Sequence, residues 1–287
     1  MRFLNVHHAR ETVSRLVHAL DGEHTTPDTL PAAYRRIITG MRPIAPPAVG
    51  VRVSFLDDPW GRNLVKNETF ANIFEGLADT FEDQRITWGR DFKASMVYTH
   101  DVIPDLGALV DLVVTDTVMF SSANKGGGSA SHLPGLISMS PGDDWQVHDF
   151  AESLVHETVH LNVFLADMAY RLYTRPTKEL EADEYRVVSA VKFGQMRPLD
   201  KAFHSAVVAP PLMFMQARRG ETELVDKFRA SLRECTDGLL DKLEHFTPYG
   251  QVLVHELRTF TDDYDMELVA ESISSERFAH WDLTPAA

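Results

Sequence analysis

The chain has 287 residues, 44% hydrophobic and 24% charged, which suffices for a sizeable core and is too apolar for a disordered segment. A formal net charge of -14 argues against nucleic acid or an anionic membrane surface as partner. The one cysteine, Cys235, rules out an internal disulfide, no apolar run reaches the about 18 residues a membrane helix needs, and Met1 to Glu11 lacks a signal-peptide pattern, so a cytoplasmic protein is expected.

Arg10 to Leu20 places Val13, Leu16, Val17 and Leu20 at helical spacing, and a short second helix is predicted near Pro31 to Thr39. The prolines of Arg42-Pro43-Ile44-Ala45-Pro46-Pro47 break regular structure. Between Val49 and Leu56, Val51, Val53 and Phe55 alternate with Arg52 and Ser54, the period of a half-buried strand, and Phe70 to Phe81 returns to helical spacing. Leu109 to Phe120 is rich in β-branched residues and predicts a strand. Asn124 to Ser131, with its three consecutive glycines, reads as a loop feeding a short strand over Leu136 to Ser140. Those glycines lack the Gly-Lys-Ser/Thr ending of a phosphate loop and read instead as a surface loop or a flexible cover over a site. From about Val147 onward the pattern is helical. The expected fold class is α+β, a mixed N-terminal half with a few strands and a predominantly helical C-terminal half. It is expected to form one enzyme domain over 1–287, with 1–145 and 146–287 as a possible subdivision that no sharp composition shift marks.

The chemistry concentrates in His156-Glu157-Thr158-Val159-His160, an HExxH sequence. Residues four apart on a helix share a face, so His156 and His160 can offer two imidazole nitrogens to one ion, with Glu157 beside them to touch a metal-bound water. Leu154, Leu161, Leu165, Met168 and Leu172 form an apolar row, with Val155, Val159 and Phe164 on other sides, which predicts a buried helix. Unpaired imidazoles and a carboxylate are costly to bury there, which favours a ligand pair over satisfied core histidines. A second His-Glu pair, His255-Glu256, has no partner histidine at the required spacing and reads as a solvated helix face.

A metal needs a third protein ligand, and two sets of candidates are open. Glu179, Glu181 and Glu184 lie in the window where some zinc peptidases carry a ligand glutamate, although the acidic run around them has the composition of a solvated turn. His204 follows Pro198, a residue suited to a helix start, and has Phe203, Val207 and Val208 around it as an apolar wall.

Ser153 to Leu161, preceded by Leu133-Pro134-Gly135-Leu136-Ile137 and followed by Arg197-Pro198-Leu199 and His204, resembles the HExxH-domain proteins of ribosomal peptide natural-product gene clusters. That family is read as iron(II)- and 2-oxoglutarate-dependent peptide β-hydroxylases. The resemblance covers roughly Leu133 to Val208, and the chain departs from it at Ser205, where comparable members carry glycine. It implies hydroxylation of side-chain Cβ positions in a precursor peptide, with dioxygen as co-substrate and His156, His160 and His204 on the metal. It further implies a cation for the distal carboxylate of 2-oxoglutarate, for which Arg197 is the first choice and Lys192, Lys125 and Arg90 are others. Imidazole suits zinc as well as iron(II), so a zinc metallopeptidase with Glu157 as general base and a non-catalytic metal-containing peptide-binding partner remain the alternatives. For a peptide held by strand pairing, Val49 to Leu56 or Leu136 to Ser140 are the expected edges.

Overall fold

The computed structural model describes residues 1–281, excluding the side chains of 223 and 224. Its elements run α1 (Val6–Asp21), α2 (Leu30–Thr39), β1 (Arg52–Phe55), α3 (Pro59–Lys66), α4 (Glu82–Val102), α5 (Pro104–Val113), β2 (Asp116–Met119), β3 (Gly126–Ser129), β4 (Leu136–Ser140), α6 (Val147–Tyr170), β5 (Val187–Val188), β6 (Met196–Arg197), α7 (Leu199–Arg218), α8 (Glu223–Leu240), α9 (Pro248–Asp263) and α10 (Met266–Ser274). The class is α+β, with strands concentrated in the first half and helices dominating the second. No helix among the described residues is long and apolar enough to cross a membrane.

Two compact units are present, one of residues 13–165 and the other of 1–12 with 166–287. The first holds a four-stranded sheet in the order β1-β2-β4-β3. β1, β2 and β4 are parallel, with Arg52 opposite Asp116 and Asp116 opposite Leu136, whereas β3 runs antiparallel to β4 with Gly127 opposite Met139 and Ser129 opposite Ile137. β2 and β4 are buried along their whole length, as parallel strands covered on both faces require. Trp60, Leu64, Phe70, Phe74, Val118, Phe120, Leu133 and Leu136 form a core cluster in this unit.

Several expectations need correction. Phe70 to Phe81 is not a helix: Glu68 and Phe70 take positive φ values of 51° and 71°, which end regular winding, and Phe70 and Phe74 serve the core cluster instead. Leu109 to Phe120 divides between the end of α5, a helix begun by Pro104, and β2. The glycine run is a strand. Met168 is exposed, and Leu172 lies beyond the end of α6. Glu256 is no solvated residue, because its carboxylate accepts hydrogen bonds from the Arg2 backbone N–H at 2.7 Å and from the Arg2 guanidinium.

The sheet is tied to its surroundings by a buried charge. Asp116, fully buried at the start of β2, receives hydrogen bonds from Arg52 Nε at 2.7 Å, Trp60 Nε1 at 3.1 Å, Thr115 Oγ1 at 2.9 Å and the Arg42 guanidinium. Arg42 also donates to Thr115 Oγ1 and to the Pro134 carbonyl, both at 3.0 Å, so one ion pair fixes β1, β2 and the approach to β4. Removing one partner of such a pair leaves the other charge buried and unmatched, so Asp116→Ala is expected to cost about 3–5 kcal/mol in urea unfolding. A loss of under about 1 kcal/mol would refute this role for the pair.

The unit of 1–12 and 166–287 is built on α8, packed against α7 and α9, with α10 against α7. Asn5 anchors the chain start, its amide donating to the Ser272 and Ser275 carbonyls at 3.0 and 2.9 Å. His8, buried, bridges the Ala279 carbonyl at 2.9 Å and the Tyr249 hydroxyl at 2.7 Å.

Candidate metal centre

α6 continues for 24 residues with no glycine or proline to interrupt it, and its middle turns bury Leu154, Val155, Val159 and Leu161 on several sides. The motif lies in this buried stretch. His156 Nε2 and His160 Nε2 stand 3.1 Å apart, with ring planes at 79°, and the Glu157 carboxylate reaches 3.8 Å from His156 Nε2 through Oε1. One ligand atom from each of His156, Glu157 and His160 falls within 4.8 Å of the others.

The spacing fits an ion. With metal–nitrogen bonds of about 2.1 Å, two imidazole nitrogens on one ion stand about 3.0–3.4 Å apart for angles between about 90 and 110°. The 3.1 Å separation lies in that range. Burial lowers the His156 pKa to about 4, which favours the neutral imidazole that a metal requires.

Glu157 is 2% exposed, and burial raises its pKa to about 8, partly opposed by a hydrogen bond from Ser129 Oγ to Oε2 at 2.7 Å. Ser129 sits on β3, and so does Gly127, where an added Cβ would lie 2.6 Å from Glu157 Cγ and Oε1. Residues two apart on a strand share a face, so Gly127 and Ser129 both look toward α6, while Gly128 looks the other way, toward Phe74 and Ile73. This explains the strand of glycines. Their weak strand propensity is overridden by pairing with β4, and side chains are absent where Glu157 and Phe74 approach. Neither Ser129 nor Gly127 was among the residues expected from sequence; the only signal was the glycine run ending in a serine.

The remaining candidates belong to the other unit or lie elsewhere on the surface. His204 is 8% exposed on α7, one turn beyond Asp200, and its ring stands 6.4 Å from that of Phe203. Ser205 accepts from the Ala190 N–H at 2.9 Å and donates to the Ala202 carbonyl at 2.7 Å, so it ties the preceding loop to α7. Arg197, half-buried on β6, makes no side-chain hydrogen bond or ion pair among the described residues. Arg90 is engaged by Asp91 at 2.8 Å, and Lys125 and Lys192 are exposed. Glu179, Glu181 and Glu184 are exposed on two short 3-10 turns, the first paired with Arg175.

No protein-family model and no curated protein matches this chain.

The two titrating groups act in opposite directions on stability. Burial depresses His156, so the unfolded chain takes up the proton first and stability falls as pH drops from 6.5 toward about 4. Glu157 holds its proton in the folded state up to about 8, so stability falls as pH rises from 4.5 to that value. Above pH 6.5 the Glu157 effect stands alone of the two. After chelator treatment, the wild type is expected to lose about 1–2 kcal/mol more than Glu157→Gln between pH 6.5 and 8. Parallel denaturation curves for the two proteins across that range would contradict it.

Proposed function

We propose that this chain is an iron(II)- and 2-oxoglutarate-dependent oxygenase that hydroxylates a side-chain Cβ of a ribosomally made precursor peptide in the cytoplasm. The observation that carries the reading is the His156 and His160 nitrogen pair, 3.1 Å apart on a buried helix beside an edge strand. The choice of third ligand favours the oxygenase over the zinc peptidase. Glu179, Glu181 and Glu184 are exposed, whereas His204 is buried on α7 with its ring 6.4 Å from that of Phe203.

Iron(II) with 2-oxoglutarate, when bound, supplies the oxidation: one atom of dioxygen enters the C–H bond and the other enters the co-substrate, which leaves as succinate and carbon dioxide. His156 and His160 would hold the ion through neutral imidazoles and leave other positions open, with His204 as the third ligand that the resemblance implies. Of the cations weighed for the distal carboxylate of 2-oxoglutarate, Arg197 is half-buried and without a side-chain partner among the described residues, and its planar fork would suit that carboxylate. Glu157 would turn Oε1, which lies 3.8 Å from His156 Nε2, toward a ligand of the ion.

Of the strand edges expected for a peptide, β4 has neighbours on both sides, so the free edges are β1 and β3. β3 is the one that touches Glu157. In an antiparallel pair, alternate residues turn their N–H and C=O away from the partner strand, so the outer side of β3 offers an extended peptide backbone its hydrogen bonds. A net charge of -14 suits a basic peptide.

One observation favours a second reading. Glu157 Oε1, 3.8 Å from His156 Nε2, also suits a general base acting on zinc-bound water in a metallopeptidase. Anaerobic iron(II) followed by 2-oxoglutarate separates the two. The oxygenase is expected to develop a weak visible charge-transfer band only with both additions, and then to add one oxygen atom to a precursor peptide. Retained zinc with peptide cleavage, abolished by Glu157→Gln, would establish the peptidase instead. His204→Ala is expected to lose bound iron, and full iron content in that variant would remove His204 from the ligand set.

A further inference from the structure

We propose that Ser129 is a positioning residue for Glu157: it anchors one carboxylate oxygen to the sheet, so that Glu157 presents only the other to the metal. The inference rests on the metal-centre reading above and decides the role of Glu157 within it. Oε2 is taken by Ser129 Oγ at 2.7 Å, and Oε1 is the atom that reaches the His156 side of the pair. A carboxylate held this way cannot close on the ion through both oxygens. It acts instead as a single fixed acceptor, toward a ligand of the ion or a substrate proton.

The hold has two parts. Ser129 supplies the hydrogen bond, and Gly127 supplies the space, since any side chain there would meet Glu157 at Cγ and Oε1. Both belong to one face of β3, and the pairing of β3 with β4 fixes their height along the strand. The carboxylate of an α6 residue is thereby located by the sheet and not by its own rotamer freedom. Because β3 is an edge strand, the strand that would meet a docked peptide on its outer side also holds Glu157 through Gly127 and Ser129 on its α6 face.

Cobalt(II) alone, added to the full chain after chelator treatment, provides a readout independent of turnover. Wild type is expected to bind one ion per chain with a defined visible spectrum. Ser129→Ala frees Oε2 to approach the ion, so its cobalt spectrum is expected to change and its affinity or turnover to shift by about 10–100-fold, mainly in kcat and not KM. Ser129→Thr retains the hydroxyl and is expected to restore the wild-type spectrum. Gly127→Ala displaces Glu157 without removing the hydroxyl, and should reproduce the spectral change even if Ser129→Ala fails to fold. Wild-type cobalt spectra in folded Ser129→Ala or in Gly127→Ala would overturn the positioning role while leaving the metal centre intact. Absence of cobalt binding by the wild type would overturn the metal centre itself, and Ser129 with it.

Discussion

Burying a carboxylate beside two half-buried imidazoles, among Leu154, Val155, Val159 and Leu161 of α6, is the constraint around which the sheet-bearing unit is arranged. Glu157 is 2% exposed, and a buried carboxylate without a partner is expensive. The structure offsets that cost in three ways. Ser129 donates to one oxygen, burial favours the protonated acid in the absence of an ion, and a bound cation would stabilise the ionised form. The His156 and His160 pair follows the same logic, since two neutral rings 3.1 Å apart can share only one proton between their facing nitrogens, whereas an ion satisfies both. Functional groups held at a cost to the fold are what a site requires, and no comparable cost is seen at Glu256, whose half-buried carboxylate has Arg2 as an ordinary partner.

The sheet has its own buried charge, and the two problems are solved at different places in the same unit. Asp116 with Arg42 and Arg52 fixes the start of β2 against β1, while Gly127 and Ser129 place the opposite edge against α6. Register links them. Because β2, β4 and β3 are paired residue by residue, the position of Asp116 along β2 determines where Ser129 falls relative to Glu157. The ion pair therefore bears on the site through strand register, without contact with it.

Much of this was legible in the sequence where local pattern and tertiary role coincide. The spacing of His156 and His160, the apolar surroundings of the motif, the alternation through Val53 and Phe55 and the apolar run Leu136 to Ser140 each specify their own structure. Legibility failed where packing overrides propensity. Gly126 to Ser129 has the composition of a loop and becomes a strand only because β4 pairs with it. α4 passed unnoticed because Phe81 before it and Ile86 and Val97 on it face solvent, so no single apolar stripe marks the helix. Phe70 and Phe74 share helical spacing but meet in a core cluster reached through positive φ. The hydrogen bond from Ser129 to Glu157 spans 28 residues, and nothing local in the chain announces it.

The central claim is that His156 and His160 bind one ion together and leave part of its coordination open. X-ray absorption on the iron(II)-loaded protein counts the imidazoles directly, through the multiple scattering of their rings. The account predicts at least two imidazole nitrogens at about 2.1 Å with further light-atom ligands that change when 2-oxoglutarate is added, and one imidazole fewer in His160→Ala. An unchanged imidazole count in that variant, or a shell that 2-oxoglutarate leaves unaltered, would contradict it.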